Sequence, residues 1–329
     1  MRILVIGCGS IGKRHIRNLK ALKVGDIIAH DLKEERCREV EQEYGVKTYH
    51  DLEEALAQKP EAALVCTPTG RHIPPALAAA RHGCHLFIEK PLSHSLDGVD
   101  ELMKVVAQKG LVALIGCNMR FHLGIARIKE LVASASIGRV LCARVQVGQY
   151  LPDWHPWEDY RQGYSASSSL GGGIILDGVH EIDYITWFLG EASQVICLSG
   201  KLSSLEIDTE DTAEILLRLK SGDIVEVHLD YVQRAYGRSC QLIGEEGTIL
   251  WDINDKQVRL YSAGEKQWQV FPEAPAYDSN QMYLEEMKHF LRCLEGKDRP
   301  MQDIKAGKRV LEIALAAKES ARTGKAISL

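Results

Sequence analysis

No apolar run in this chain approaches the ~20 residues that a membrane-spanning helix needs, so no span is expected. A surplus of positive charge is also missing. Forty lysines and arginines face 45 aspartates and glutamates, giving a formal net charge of −5, and nothing suggests a nucleic-acid footprint. None of the nine cysteines forms a Cys-x-x-Cys pair, and their number is odd. They lie in apolar segments such as Val65-Cys66-Thr67 and Leu141-Cys142-Ala143 and read as reduced, buried thiols of a cytoplasmic protein. No metal-ligand cluster is evident; His122 and His155 have no partners at ligand spacing. Internal repeats and low-complexity tracts are absent, and the chain opens on a strand-like run where a signal peptide would have a charged and apolar leader.

What is present begins with Gly7-Cys8-Gly9-Ser10-Ile11-Gly12. It follows the strand-like Ile3-Leu4-Val5-Ile6 and opens a helix-like run from Lys13 to Leu22. In a strand–turn–helix setting Gly7 makes the tight turn, Gly9 lets a pyrophosphate approach and Gly12 lets the helix pack on the strand. The amides of Ser10 and Ile11 then face the phosphates, where the helix dipole favours negative charge. Asp31 ends the next apolar run, 19 residues beyond Gly12, near the spacing at which a carboxylate binds the adenosine ribose hydroxyls. A carboxylate there repels a 2′-phosphate, so NAD(H) is preferred, with NADP(H) possible because Lys33 and Arg36 soften the repulsion.

From residue 1 to about 120 strands and helices alternate, which predicts a doubly wound parallel sheet. Strands are expected at 2–6, 26–30, 46–49, 61–66, 84–88 and 111–116, and helices at 10–22, 33–44, 51–58, 72–82 and 95–109. Two loops follow strand C-termini, where open α/β sheets bind ligands: Cys66 to His72, with Thr67, Pro68 and His72, and Phe87 to Pro91, with Glu89 and Lys90. Residues 121–329 read as a second α/β domain, with a long strand at 139–149, seven further strands between 193 and 271, and closing helices at 279–294 and 303–323. Long antiparallel strands imply one face packed on helices and another that is open, a plausible surface for self-association.

Two stretches of this half carry chemistry. Aromatic residues make up only 6% of the chain, yet the irregular stretch from Tyr150 to Gly173 holds Trp154, His155, Trp157, Tyr160 and Tyr164 beside Glu158, Asp159 and Arg161. Aromatic faces stack on sugar rings and the charges bind hydroxyls, which suggests a substrate-facing loop. Gly171-Gly172-Gly173 then leads into Ile174 to Leu189. Read as one helix, it buries Ile175, Val179, Ile182, Ile185 and Leu189 and gathers Asp177, His180 and Tyr184 on the opposite face. A carboxylate three residues from an imidazole can orient it and raise its basicity.

The order Gly7-x-Gly9-x-x-Gly12, Thr67-Pro68, Glu89-Lys90-Pro91, then the three glycines with Asp177 and His180, resembles the glucose–fructose oxidoreductase / inositol dehydrogenase / MocA family over nearly the whole chain. The resemblance implies a Rossmann domain over 1–120 and, over 121–329, a substrate-binding domain whose large, open, mostly antiparallel sheet mediates homodimers or homotetramers. It places Lys90 near nicotinamide and substrate, makes His180 the acid/base and gives Asp177 a supporting role. The family usually spaces the last two as Asp-x-x-x-His; here the spacing is one residue shorter, and Asp183 is an alternative partner. More narrowly, Ser10 to His15, Cys117 to His122 with Arg120, and Trp154 to Arg161 are similar to members associated with surface-polysaccharide and sialic-acid-like sugar biosynthesis. That likeness implies a sugar or nucleotide-sugar substrate touching Arg120, Trp154, His155, Tyr160, Asp177 and His180. The expected activity is hydride transfer between nicotinamide and a secondary alcohol. An NAD-dependent glycosidase on the same fold, or a non-catalytic NAD-sensing regulator, is the alternative; a regulator would be expected to lose the lysine–histidine pair, which this chain keeps.

Overall fold

Ile3, Leu4, Val5 and Ile6 are each at 1% exposure or less, a continuous run without alternation. A strand with that pattern is covered on both faces, the environment of a central parallel strand. The computed structural model describes residues 1–154 and 156–329. It places this run (β1, Arg2–Ile6) beside β2 (Asp26–His30), β3 (Lys47–Tyr49), β4 (Ala62–Val65), β5 (His85–Glu89) and β6 (Ala113–Gly116). Among the described residues these six strands pair in parallel in the order β3-β2-β1-β4-β5-β6. The order reverses between β1 and β4, the switch point at which such sheets take ligands beyond the strand C-termini.

Helices Ser10–Ala21, Glu34–Tyr44, Leu52–Leu56, Ile73–Arg81 and Val99–Lys109 connect the strands. The last starts four residues later than its capping residues predict. Gly98 before it has φ +74°, and a Cβ there would come within 2.8 Å of Ile73 Cγ2. Residues 95–98 are spent on that close approach as a turn, with the Ser95 hydroxyl donating to Asp97.

The chain divides into two compact units, Met1–Asn118 with Tyr283–Leu311, and Met119–Met282 with Glu312–Leu329. The return of Tyr283–Leu311 to the first unit differs from a division at residue 120 alone. Its cause is burial: Met287 and Phe290 of helix Asn280–Leu294 are fully buried in the core that holds Ile3, Val5, Ile16 and Phe87. The Phe290 ring stands edge-on to Phe87 at 5.6 Å, and Ile115 N–H donates to Gln302 O at 2.9 Å.

The second unit is built on β7 (Val140–Gly148), β8 (Ala192–Gly200), β9 (Thr212–Leu219), β10 (Ile224–Asp230), β11 (Gly237–Gly244), β12 (Gly247–Asp252), β13 (Gln257–Ser262), β14 (Gln267–Pro272) and β15 (Ile327–Ser328). They form a sheet in the order β14-β13-β12-β11-β7-β10-β9-β8-β15, in which β7 and β10 run parallel and the other neighbours antiparallel. Alternation is clean along β9, where Ala213, Ile215, Leu217 and Leu219 are buried and Glu214, Leu216 and Arg218 are exposed. One face is therefore core and the other open.

Candidate functional site

The glycine-rich turn uses its three glycines for two different purposes. Gly7 has φ +100°, and a Cβ there would lie 2.7 Å from the Cys66 carbonyl oxygen; a Cβ on Gly12 would lie 1.9 Å from the Gly7 oxygen. Both close backbone on backbone, fastening β1, β4 and the helix together. Over Gly9 the space is open: the nearest atom to a Cβ there would be Arg36 Nη1 at 3.8 Å. The helix Ser10–Ala21 starts at this gap with no side-chain cap and no acidic residue in its first turn. Its first amides are thus left to a ligand, and an open cradle at a helix N-terminus fits a dinucleotide pyrophosphate.

Asp31, at the end of β2, is buried and tied to the same turn. Its Oδ2 accepts from Cys8 N–H at 2.8 Å and its Oδ1 from Lys33 N–H at 2.8 Å, while Arg36 Nη1 lies 3.8 Å from Oδ2. The carboxylate is fixed beside Gly9 with a cation next to it.

The loops after β4 and β5 are cross-tied by buried side chains. His72 places Nε2 2.8 Å from Thr67 O and Nδ1 2.9 Å from Pro91 O, bridging the two loops, and burial lowers its pKa. Thr67 hydroxyl donates to Arg71 O at 3.0 Å, and Pro68 precedes the tight turn Thr69–Arg71. Glu89 is buried at the end of β5; its Oε1 lies 2.6 Å from Nε2 of the fully buried His15, and its Oε2 accepts from Lys90 N–H at 3.3 Å. His15 links the helix Ser10–Ala21 to the Glu-Lys-Pro turn, a connection that sequence reasoning missed. Its only signal was a histidine three residues after Gly12, one turn along the inward face of the helix.

In the second unit two of the three glycines serve packing. A Cβ on Gly172 would lie 2.2 Å from Tyr164 O, and one on Gly173 (φ +108°) 2.4 Å from Glu210 Oε1. Glu210 fills that space and accepts from Ile175 N–H at 3.3 Å, with Lys318 Nζ at 3.3 Å on its carboxylate. The expected single helix from Ile174 is interrupted: one turn, Ile174–Asp177, precedes Val179–Leu189, with Gly178 between them. A Cβ on Gly178 would meet Leu229 Cδ2 at 2.8 Å, so the interruption lets the chain lie directly on β10. The expected polar face is also not open to solvent: Asp177, His180, Glu181, Asp183 and Tyr184 are all buried.

Each buried acid has an identified donor. Asp177 accepts from Tyr164 Oη at 2.7 Å on Oδ1 and from Tyr231 Oη at 2.5 Å on Oδ2. Burial, then the neighbouring Asp177 carboxylate, push the Tyr231 phenol well above its ordinary pKa. Asp183, the alternative partner for His180, is gripped by both arms of Arg120, with Nε at 2.9 Å and Nη2 at 2.8 Å. Arg120 itself stacks on Trp187 at 4.9 Å. Glu181 pairs with Arg238 Nε at 2.7 Å; burial raises its pKa, against the pull of that guanidinium. Two ion pairs thus follow His180 along the helix Val179–Leu189.

Of the aromatic loop, Trp154 packs edge-on to Tyr231 at 5.3 Å and donates its indole N–H to Gln149 O at 3.1 Å. Tyr160 Oη accepts from Glu206 N–H at 3.2 Å. His155 lies outside the described residues. Among the residues expected to act on substrate, the structure joins Trp154 to Asp177 through Tyr231, and ties Arg120 to the helix carrying His180.

Residues 1–117 match the oxidoreductase family with an NAD-binding Rossmann fold, GFO_IDH_MocA, and residues 125–250 match the GFO/IDH/MocA C-terminal domain. The chain is 31% identical to myo-inositol 2-dehydrogenase of Thermotoga maritima, over 100% of this chain and 98% of that protein. It is 25% identical to scyllo-inositol 2-dehydrogenase (NAD(+)) of Bacillus subtilis, over 100% of this chain and 96% of that one. Among solved structures, the WlbA dehydrogenase of Bordetella pertussis, in complex with NADH and UDP-GlcNAcA, superposes with a TM-score of 0.84 over 100% of this chain and 98% of that one, at 22% identity.

Proposed function

This chain belongs to the GFO/IDH/MocA oxidoreductase family, an NAD-binding Rossmann family, and on that premise we propose how it oxidises a secondary alcohol of a cyclic polyol or sugar. NAD, held by Gly7, Gly9, Ser10, Ile11, Gly12 and Asp31, supplies the hydride acceptor when bound. The remaining tasks fall to side chains. His180 takes the hydroxyl proton as the carbon gives up its hydride, leaving a ketone; an imidazole suits reversible proton transfer near neutral pH. Lys90 stabilises the developing alkoxide and positions the hydroxyl. Asp177 orients His180, and Arg120 positions the helix that carries it. Trp154, Tyr160 and His155 contribute the sugar-facing loop. The observation that carries the reading is the buried Asp177 carboxylate, clamped by two phenols three residues before the buried His180, in a chain that also keeps Lys90 after β5.

The supported substrate class is neutral cyclic polyols, since the two relatives are inositol dehydrogenases; nucleotide-sugars share the ring chemistry. Purified enzyme is mixed with NAD+ and a panel of inositols, free sugars and nucleotide-sugars, and NADH absorbance is followed. His180→Asn is expected to reduce turnover by ~100- to 10,000-fold with NAD affinity unchanged. Lys90→Met reduces it as well and weakens substrate binding. Near wild-type turnover in His180→Asn would remove His180 as the base.

The open face of the second sheet carries Leu198 (73% exposed), Ile196, Leu216 and Ile224. Exposed apolar side chains among charges on an open sheet face support a homodimer or homotetramer, and a sedimentation run giving only the 36.6 kDa species at micromolar concentration would refute it. The nine cysteines, all free among the described residues, suit a reducing cytoplasm.

A further inference from the structure

Asp177, which ends the single turn leading into the helix of His180, is held from two sides by residues the sequence did not single out for that task. Tyr231 follows β10, is fully buried, and donates to Oδ2 of Asp177 at 2.5 Å. Its ring is braced edge-on by Trp154, and its own N–H donates to Asp211 O at 2.8 Å. Tyr164 belongs to the irregular loop, is half-buried, and donates to Oδ1 at 2.7 Å. One donor is thus set in the sheet core and the other in the loop proposed to face substrate.

We propose that Tyr231 and Tyr164 are positioning residues that clamp Asp177 as a fixed acceptor and leave His180 as the proton-accepting member of the pair. This rests on the role given to His180 above. Both oxygens of Asp177 already accept a phenolic O–H, so the carboxylate serves as an orienting charge. Hydrogen bonds that stabilise a carboxylate also moderate its pull on a neighbouring imidazolium. Removing one donor therefore strengthens that pull, and His180 should titrate at higher pH. Because Tyr164 sits on the loop, docking of the loop and setting of the carboxylate are a single event, and loss of its hydroxyl should affect KM as well as kcat. Loss of the Tyr231 hydroxyl, set in the core, should act on kcat alone.

The test uses the whole protein with Tyr231→Phe and Tyr164→Phe, which keep ring volume. The His180 imidazole is titrated by NMR on histidine-labelled protein, its signal assigned by its loss in His180→Asn; this readout needs no substrate. The expected result is an upward shift of the His180 titration in both variants. With NAD+ and myo-inositol, or whichever polyol of the panel turns over, the acid limb of kcat/KM should move to higher pH, and kcat/KM should fall roughly 10- to 100-fold, the worth of a hydrogen bond to a charged group. An unshifted His180 titration in both variants overturns the clamp, even if Tyr231→Phe lowers the melting temperature, because a merely structural phenol would do only the latter. Should His180→Asn keep full turnover, the reading of His180 as base fails, while the titration still judges whether the phenols set its environment.

Discussion

The two units build their functional groups by opposite means. In the first, the glycine-rich turn is built from backbone: two glycines that a Cβ would block, helix amides with no capping side chain, and one carboxylate, Asp31, that accepts from two backbone N–H groups. In the second, it is side chains: His180 lies on a helix whose neighbouring acids are each satisfied by a partner distant in sequence, Tyr231 for Asp177, Arg238 for Glu181 and Arg120 for Asp183. A backbone site is specified by a short motif, because the steric demand is local. A side-chain site in a buried environment needs its partners supplied by other strands, since a buried charge without a partner is costly. The first kind tolerates change at any residue the motif leaves open; the second depends on residues scattered along the chain.

The sharpest way to break this contrast is to orphan a buried charge in the second unit. Arg120→Ala leaves Asp183 buried without its fork, and about 3–5 kcal/mol of stability should be lost, read as a large fall in the denaturation midpoint. The double change Arg120→Met with Asp183→Leu should recover much of it; a single variant that unfolds like wild type would show that the pair carries no such weight.

Within the first unit, Gly12 and Gly9 should separate stability from binding. Gly12→Ala forces its Cβ onto the Gly7 carbonyl and should cost about 1–3 kcal/mol in thermal unfolding. Gly9→Ala meets only the end of the Arg36 side chain, so it should fold like wild type and lose NADH affinity by fluorescence titration. Equal stability loss in both would mean that the two glycines are not doing different jobs.

Asp31→Ser is a smaller effect. It removes the charge that repels a 2′-phosphate while Arg36 remains, and the ratio of NADH to NADPH affinity should fall roughly tenfold, the scale of one charged hydrogen bond. An unchanged ratio would place the discrimination elsewhere.

The smallest effect is expected on the open face of the second sheet. His228 lies 2.6 Å from Glu214 and 3.0 Å from Asp230, and these hydrogen bonds, Asp230's first, raise its pKa to about 9 against the cost of burial. The folded state holds this proton more tightly than the unfolded chain does. The stability it contributes is therefore complete below the unfolded value near 6.5 and is lost as pH rises through about 9. His228→Gln should flatten that decline in unfolding experiments run from pH 6 to 10; an identical slope in both proteins would discount the cluster.

Much of this was legible in the sequence. The six parallel strands and their helices follow from apolar runs and punctuation, and the boundaries shift mainly where tertiary contact intervenes, as at Gly98 against Ile73. The strands of the second sheet from β7 to β14 were equally plain from alternation, but the two-residue β15 was not foreseen, nor the strand order, nor the parallel pairing of β7 with β10. The helix carrying His180 was seen with a polar face. Periodicity showed which residues share that face and could not show what lay opposite. That the acids there are buried became visible only with Arg120, Arg238 and Tyr231 in place.

The sequence alone determined the dinucleotide turn, the acid after β2 and the candidate lysine and histidine, because each rests on chemistry confined to a few neighbouring residues. The tertiary structure decided the rest: that Gly172 and Gly173 make room for Tyr164 and Glu210, that Arg120 holds Asp183, that His15 braces Glu89, and that Asp177 is clamped by Tyr164 and Tyr231. These are pairings between residues from 8 to 74 positions apart. The energy that selects them comes from giving these buried charges and phenols their partners, and a linear pattern holds no record of that distance.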